Sequence, residues 1–555
     1  MRATFIPIRI LFLLLPLQSV CQSAYFQQGS KENILLERLE IKAGRDTALN
    51  FSHIKPFNRK WYVKAIDRLE TDSSVAGSLT ETDRYNIQRA RINNLEWVEG
   101  DKSAYRSRKP LWNTFYKTPA NLIEVDQPDF FLAVNPVLQL NYIYDDADDE
   151  RRFLNTRGFV ARGLVSKRFG FQTYLTENQE RAPRFVQDWI PAYQAVPGAG
   201  KYKPFKNSAV DYWDARGSVM FNAAKYLDIQ FGYDRMHLGN GYRSVFFSEF
   251  SNSHLFLNLN LRVWKLNYMS RVMELSSQYY RRNSLDTVYP KKYMALHHIS
   301  FTAPKWLTLG LFEGVVFGRV NSFEFGYLNP IIFLRPVEAQ IGSPDNAFVG
   351  LDAKANIAKR IQLYGQLMLD EFLLQGIRQR NGSWVNKWSL QAGLKHVDLF
   401  GIDNLDLQLE ANLIRPFTYS HRDTVANYSH YNQPIAHPLG SNIQEFIGIL
   451  RYQPAPRWYM QGRMIYWIGG KDVNGVNWGN NIFRNYMDRP GDEGFFFGVA
   501  EKTKWMNANL WVAYEMRENL FIELNANARK APDRDMNLFG SVGVRWNMQR
   551  REYDF

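Results

Sequence analysis

From Asn346 to Phe372 apolar and polar residues alternate with a period of two, over a length that few folds can use. Ala347, Val349, Leu351, Ala353, Ala355 and Ile357 share one face, while Gly350, Asp352, Lys354 and Asn356 share the other. After a break at Ala358-Lys359-Arg360 the alternation resumes, with Ile361, Leu363, Gly365, Leu367 and Leu369 opposite Gln362, Tyr364, Gln366, Met368 and Asp370. Successive side chains on a strand point to opposite faces, so this is a hairpin with one apolar and one polar face. The pattern returns at Leu405 to Leu413, Met506 to Tyr514 and Ile522 to Ala528. A soluble sandwich alternates too, but its strands are usually about 5 to 6 residues long. Those here run to roughly 9 to 11, the length that crosses a bilayer when tilted. The sequence therefore predicts an all-β transmembrane barrel whose apolar face meets lipid and whose polar face lines a lumen.

Composition agrees with strands rather than helices as the membrane-crossing element. The mean hydropathy is slightly negative, at -0.39, and no apolar run of about 20 residues follows the first few dozen positions. The start is different: Arg2 and Arg9 precede an apolar run from Ile10 to Leu17, with Ser19 and Cys21 as a small pair beyond. This reads as a secretory signal, residues 1-21, cleaved after Cys21. A lipoprotein reading of Cys21 is weaker, because bulky Val20 precedes it. Cys21 is the only cysteine, so the exported chain is expected to have no disulfide and no thiolate metal site. Losing Arg2 and Arg9 lowers the formal net charge of +13 by two. The remaining excess favours acidic sugars, phosphates or lipid A as partners.

Residues 22-126 read as a helical periplasmic domain with a linker. Leu35, Leu36 and Leu39 have helical spacing, Val63, Ile66 and Leu69 form a second segment, and Thr80 with Asp83 resembles a capping box opening a third. Pro110 and Pro119 mark the linker from Val98 to Asp126. The barrel occupies 127-555, with its first strand starting after Pro136, since proline donates nothing to a ladder. About 18 antiparallel strands are expected, joined alternately by short turns and by long loops such as Asn178 to Ala209, Val320 to Asn346 and Pro416 to Asn442. Short turns belong on the periplasmic side, which fixes the orientation. Tyr142, Tyr144, Trp458, Tyr459, Trp467 and Trp546 suit the interfacial girdles. Tyr553-Asp554-Phe555 looks like the closing aromatic signal that outer-membrane barrels present to the barrel assembly machinery.

The stretch FGYDRMHLGNGYRS, Phe231 to Ser244, carries the candidate site. Leu227, Ile229, Phe231 and Tyr233 form a lipid face, and the next residue on that face is Arg235, so the strand has to leave the membrane there. Gly239 and Gly241 then allow a turn, which places Asp234, Arg235, His237, Asn240, Tyr242 and Arg243 at the outer mouth. They supply donors, acceptors and a stacking ring for a sugar; they suit equally a loop held by its own hydrogen bonds. This stretch, FEFGYLNPIIFLRPVE at Phe323 to Glu338 and GSPDNAFVGLDAKANIAKRIQLYGQLMLDEF at Gly342 to Phe372 resemble the capsule assembly Wzi family, particularly its Bacteroidetes branch with gliding-motility-associated relatives. The resemblance implies an 18-stranded outer-membrane barrel with a helical periplasmic plug, and a lectin that holds capsular polysaccharide at the cell surface.

Other residues bear on rival readings. The loop Arg181 to Asn207 mixes Phe185, Trp189, Tyr193, Tyr202 and Phe205 with Arg184, Lys201, Lys203 and Lys206, which suits acidic glycans or a seal over the barrel. His421, His430 and His437 match no zinc spacing. Asp234, His237 and Ser244 lie close together, but no nucleophile motif frames Ser244, so catalysis is not expected. A barrel this wide can conduct, which makes a porin the main alternative, beside a structural part of a gliding or adhesion machinery. Tyr364, Trp264, Trp511, Arg262 and Arg545, read as inward-facing, point to a filled lumen. The expected partners are surface polysaccharide, outer-membrane lipid and lipopolysaccharide, and the barrel assembly machinery, for a monomer with no nucleic acid, cofactor or metal.

Overall fold

A computed structural model describes residues 24-26, 30-44, 51-166, 168-278, 288-319 and 322-555. The segment read as a secretory signal lies outside them. The described residues form a closed antiparallel barrel of 18 strands with a small helical region before it. The wall runs β1 Phe130–Asp145, β2 Arg152–Val165, β3 Phe169–Arg181, β4 Ala209–Ala224, β5 Leu227–Asp234 and β6 His254–Val263. It continues as β7 Leu266–Ser276, β8 Lys291–Thr302, β9 Leu307–Phe317, β10 Asn346–Ile357, β11 Ile361–Glu371 and β12 Lys387–His396. The last six strands are β13 Leu405–Ile414, β14 Ile443–Tyr452, β15 Trp458–Lys471, β16 Glu501–Arg517, β17 Leu520–Lys530 and β18 Met536–Trp546. Pairing of β18 with β1 closes the ring. One end carries tight turns and the other long loops; they are called the turn end and the loop end below.

The register follows the alternation of the sequence. On β13, Leu409 is 45% exposed while Gln408 and Glu410 are 2% and 4% exposed, so the leucines form the outer belt and the polar residues face the lumen. No helix among the described residues is long and apolar enough to cross a membrane. Three expectations fail at the wall. The first strand runs through Pro136 instead of starting after it, and a short strand Ile123–Gln127 pairs with its opening residues. Pro136 falls in the gap between Val134, the last partner of that short strand, and Leu138, where β18 takes over, so its missing N–H leaves no ladder bond unmade. Trp264 sits in the turn between β6 and β7, 74% exposed, and does not fill the lumen. Trp467, read as a girdle residue, is buried and stacks on Trp505, with the Arg529 guanidinium over both rings.

The helical region stoppers the turn end. Helices α1 Lys31–Ala43, α2 Arg59–Thr71 and α3 Glu81–Ile92 bury Leu35, Leu36, Leu39, Val63, Ile66 and Leu69 against one another. The Thr80 side chain accepts from the Asp83 N–H while the Asp83 carboxylate accepts from the Thr80 N–H, which starts α3. Polar contacts seat the helices on the barrel: Lys31 reaches Glu515 and Glu518 at 2.6 and 2.7 Å, Arg38 binds Asp398 and Asp406, and Asn86 donates to Gln453 at 2.8 Å. Glu37 lies between Lys55 and Lys395, at 2.6 and 2.9 Å. Burial would push its carboxyl up, but Lys395 and Lys55 outweigh that and hold it well below the usual carboxylate range.

The connection between β9 and β10 does not rise from the loop end. Residues 322-345, with helix α5 Leu334–Gln340, fold back down the outside of the wall. Odd-numbered residues of β8 and β9 point outward there, as Ile299 and Leu309 do. Their neighbours Ala295, Val315 and Phe317 are buried under Tyr327 and Leu334. The Tyr268 hydroxyl, on the outward face of β7, donates to the Pro330 carbonyl. The flap turns Phe325, Ile331 and Phe333 away from the barrel, Ile331 being 91% exposed.

Candidate functional site

The stretch that carries the candidate residues turns inward. β5 ends at Asp234, as the position of Arg235 on the outer face requires, but the chain then enters the lumen instead of shaping the outer mouth. Arg235 swings in to Asp214 on β4, its Nη2 3.1 Å from Oδ2. His237–Leu238 pair antiparallel with Ile54–Lys55 of the helical region, and the Gly239 N–H donates to the His53 carbonyl at 2.7 Å. Gly239, at φ +135, and Gly241 lie so close to the wall that an added Cβ would meet the Gln366 and Gln391 side chains at 2.6 and 2.5 Å. The glycines thus serve close approach to the wall. The Tyr242 and Arg243 N–H groups both donate to the Glu410 carboxylate, at 2.6 and 3.0 Å. Val245, Phe246 and Phe247 then bury themselves in a lumenal core with Met294, Phe312 and Phe348.

A second segment fills the lumen from the opposite direction. After Trp546 the chain leaves the wall at the turn end and climbs inside, so Tyr553-Asp554-Phe555 is not a closing signal on the last strand. The Tyr242 hydroxyl donates to Asp554. Arg243 Nη1 lies 3.1 Å from Asp554 Oδ2, and Arg463 bonds the Tyr242 hydroxyl at 2.6 Å and Glu552 at 2.9 Å. The Tyr553 hydroxyl donates to Glu180 at 2.7 Å, and the Phe555 ring packs 5.4 to 5.8 Å from Phe185, Trp189 and Phe250. Phe185 and Trp189 belong to helix α4 Arg184–Tyr193, so the aromatic and cationic loop seals the lumen from the loop end. In the same region His430 Nε2 lies 2.9 Å from the Ser253 carbonyl oxygen and His437 Nε2 2.7 Å from Glu445.

Between these fillings lies a cavity of about 540 Å³. It reaches from Asn519 and Gln453 at the turn end to Gly198, Phe250 and Phe555 beneath the loop end. Asp234, Arg235, His237, Tyr242 and Arg243 all line it; Asn240 is buried beside it and does not. Burial pushes the His237 imidazole down to about 3, with Lys55 as the next cause. Burial and then Arg216 lower the Arg235 guanidinium, and burial raises the Glu249 carboxyl. Arg235 Nε, Glu249 Oε2 and both amide atoms of Gln139 are buried without a partner among the described residues. Ser244 Oγ donates to the Leu238 carbonyl at 2.6 Å, so Ser244 is not paired with an imidazole. Sequence reasoning missed Asp214, Glu249 and Arg551, whose arrival here depends on which segments fold inward. The legible clue was the run Arg550-Arg551-Glu552, too charged for the outer face of a strand.

No family model matches the sequence, and no curated protein matches it. A solved structure does share its fold. Wzi of Escherichia coli, described as an outer-membrane protein involved in group 1 capsule assembly and as a carbohydrate-binding β-barrel, aligns with a TM-score of 0.59 at 12% identity, covering 96% of this chain and 100% of its own. OprD of Pseudomonas aeruginosa and OccAB2 of Acinetobacter baumannii align with TM-scores of 0.41 and 0.40 at 12% and 10% identity, each over 75% of this chain. At 12% identity the likeness to Wzi is one of fold: a closed antiparallel β-barrel.

Proposed function

We propose that this barrel binds a surface polysaccharide without catalysis, its turn end and helices facing the periplasm and its loop end facing outward. The observation that carries the reading is the lumenal cavity, where Arg235 Nε, Glu249 Oε2 and the Gln139 amide are buried without partners. Leaving such groups unsatisfied costs about 1–3 kcal/mol each, and sugar hydroxyls both donate and accept. Tyr242 and Trp511 line the same cavity, with the Arg463 guanidinium 5.3 Å from the Tyr242 ring and the Arg550 guanidinium 4.4 Å from the Trp511 ring. The fold shared with a carbohydrate-binding barrel supports the reading. The helical stopper, the inward stretch and the climbing segment speak against free diffusion.

The test separates sugar binding from barrel integrity. Arg235→Gln and Glu249→Gln in the full chain are expected to weaken retention of cell-surface glycan roughly tenfold each, as loss of a charge-assisted hydrogen bond would. Heat-modifiable mobility is expected to stay unchanged. Normal retention in both variants, or open-porin conductance of the unaltered protein, would overturn the reading in favour of a structural or channel role.

A further inference from the structure

Three buried side chains, far apart in the sequence, meet inside the barrel away from the cavity. His298 on β8 and Asp352 on β10 face the lumen, with β9 running between them. A side chain on β9 would ordinarily hold two such groups apart. Opposite Asp352, however, β9 carries Gly310, where an added Cβ would lie 2.0 Å from Asp352 Oδ1. The carboxylate therefore leans across the strand, and Asp352 Oδ1 comes within 2.7 Å of His298 Nε2. His53, in the segment between α1 and α2, brings a second imidazole, its ring centre 4.7 Å from that of His298. Its backbone is fixed by the Gly239 N–H, which donates to its carbonyl at 2.7 Å.

We propose that His53, His298 and Asp352 bind one divalent transition-metal ion of the zinc class, which clamps the helical region to the wall. One ligand atom from each residue lies within 4.8 Å of the other two. A tetrahedral ion with bonds of about 2.0–2.1 Å holds its ligands about 3.3 Å apart, so no pair has to close by more than about 1.5 Å. Side-chain rotation supplies that movement, and as the ion enters the proton of the His298–Asp352 hydrogen bond is given up by Nε2 while Nδ1 takes one, so that the imidazole stays neutral and turns its Nε2 lone pair to the ion. Two imidazoles and one carboxylate form a nitrogen and oxygen donor set suited to zinc, with water completing the coordination. The neighbouring Lys354 is paired with Glu40 at 2.5 Å, which offsets its positive charge. Two other buried histidines are engaged elsewhere: His430 Nδ1 accepts the Ser276 N–H at 2.9 Å, and His437 faces Glu445.

The full chain, purified with a tag free of histidine, is refolded with zinc chloride and then stripped of loose metal by gel filtration over EDTA. The expected result is about one zinc per chain in the unaltered protein and in a His421→Gln control. Retention is expected to fall at least tenfold in His53→Gln and in the isosteric Asp352→Asn, with heat-modifiable mobility confirming that each folds. Refolding with cobalt is expected to give a visible absorption band that both variants lack. Equal zinc in His53→Gln and the unaltered protein, whether one equivalent or none, overturns the proposal.

Discussion

His297 and Glu313 face each other across β8 and β9 on the outward side of the barrel, 2.8 Å apart, with the Leu334 N–H donating to the other Glu313 oxygen at 3.0 Å. Two polar groups on a surface meant for lipid are costly, and the flap of residues 322-345 covers them. Glu313→Leu alone is expected to destabilise the barrel by about 1–3 kcal/mol, because it strands the Leu334 N–H and the imidazole. Urea unfolding followed by tryptophan fluorescence measures this.

The flap also displays its own apolar tip. A nitroxide at an Ile331→Cys variant, in a chain whose only native cysteine is Cys21, is expected to show high access to oxygen and low access to a water-soluble nickel complex. The reverse ranking would mean that the flap lies in water and not against lipid.

Gly310→Ala tests the packing of Asp352 directly. The new methyl would overlap the carboxylate, so either the His298–Asp352 bond breaks or the strands part. Overpacking of this kind costs about 1–3 kcal/mol. A matching fall in urea midpoint is expected, while Gly462→Ala, which meets nothing within 4 Å, is expected to be neutral.

Asp554→Ala removes the counter-charge of Arg243 and Arg463. Losing one partner of a buried pair costs about 3–5 kcal/mol. The seated state of residues 547-555 then loses a factor on the order of 10² to 10³ against a released one. Planar-bilayer recordings are expected to show channel steps in the variant and rare ones in the unaltered protein.

Acid is expected to loosen the stopper in two stages. His237 has its imidazole lowered from 6.5 to about 3, so its contribution is complete above pH 6.5 and is lost as pH falls toward 3. Glu37, held below the carboxylate range, contributes fully above about 4.5 and loses that below it. Each titrating group adds a slope of up to about 1.4 kcal/mol per pH unit within its window. The urea midpoint is expected to drop between pH 7.5 and 4.5, and His237→Gln to flatten that drop.

The wall was legible because lipid enforces a strict alternation, and Leu405 to Glu410 show it residue by residue. The α3 cap at Thr80 and Asp83 was legible because it is local. What stayed hidden was the lumen. Arg235 marks where the strand leaves the outer face, but the same signal serves a chain turning in or out. Gly239 and Gly241 read as a turn and proved to be close approaches to Gln366 and Gln391 on distant strands. The terminal Phe555 read as a strand end, yet its neighbours Arg551 and Asp554 find charge partners only inside.

The climb of residues 547-555 from the turn end bears on the order of assembly. The opening through which they pass is the one that α1 and α3 stopper, and Asn519 at that rim already donates to Asn93 at 2.9 Å. Whichever segment enters second must pass the first, and the helices are the wider body. The slender segment is therefore expected to go in first and the helices to close behind it, the beginning of the described chain taking its place after its end. In a refolding time course, protease protection of the Arg550-Arg551 bond should precede protection of α1.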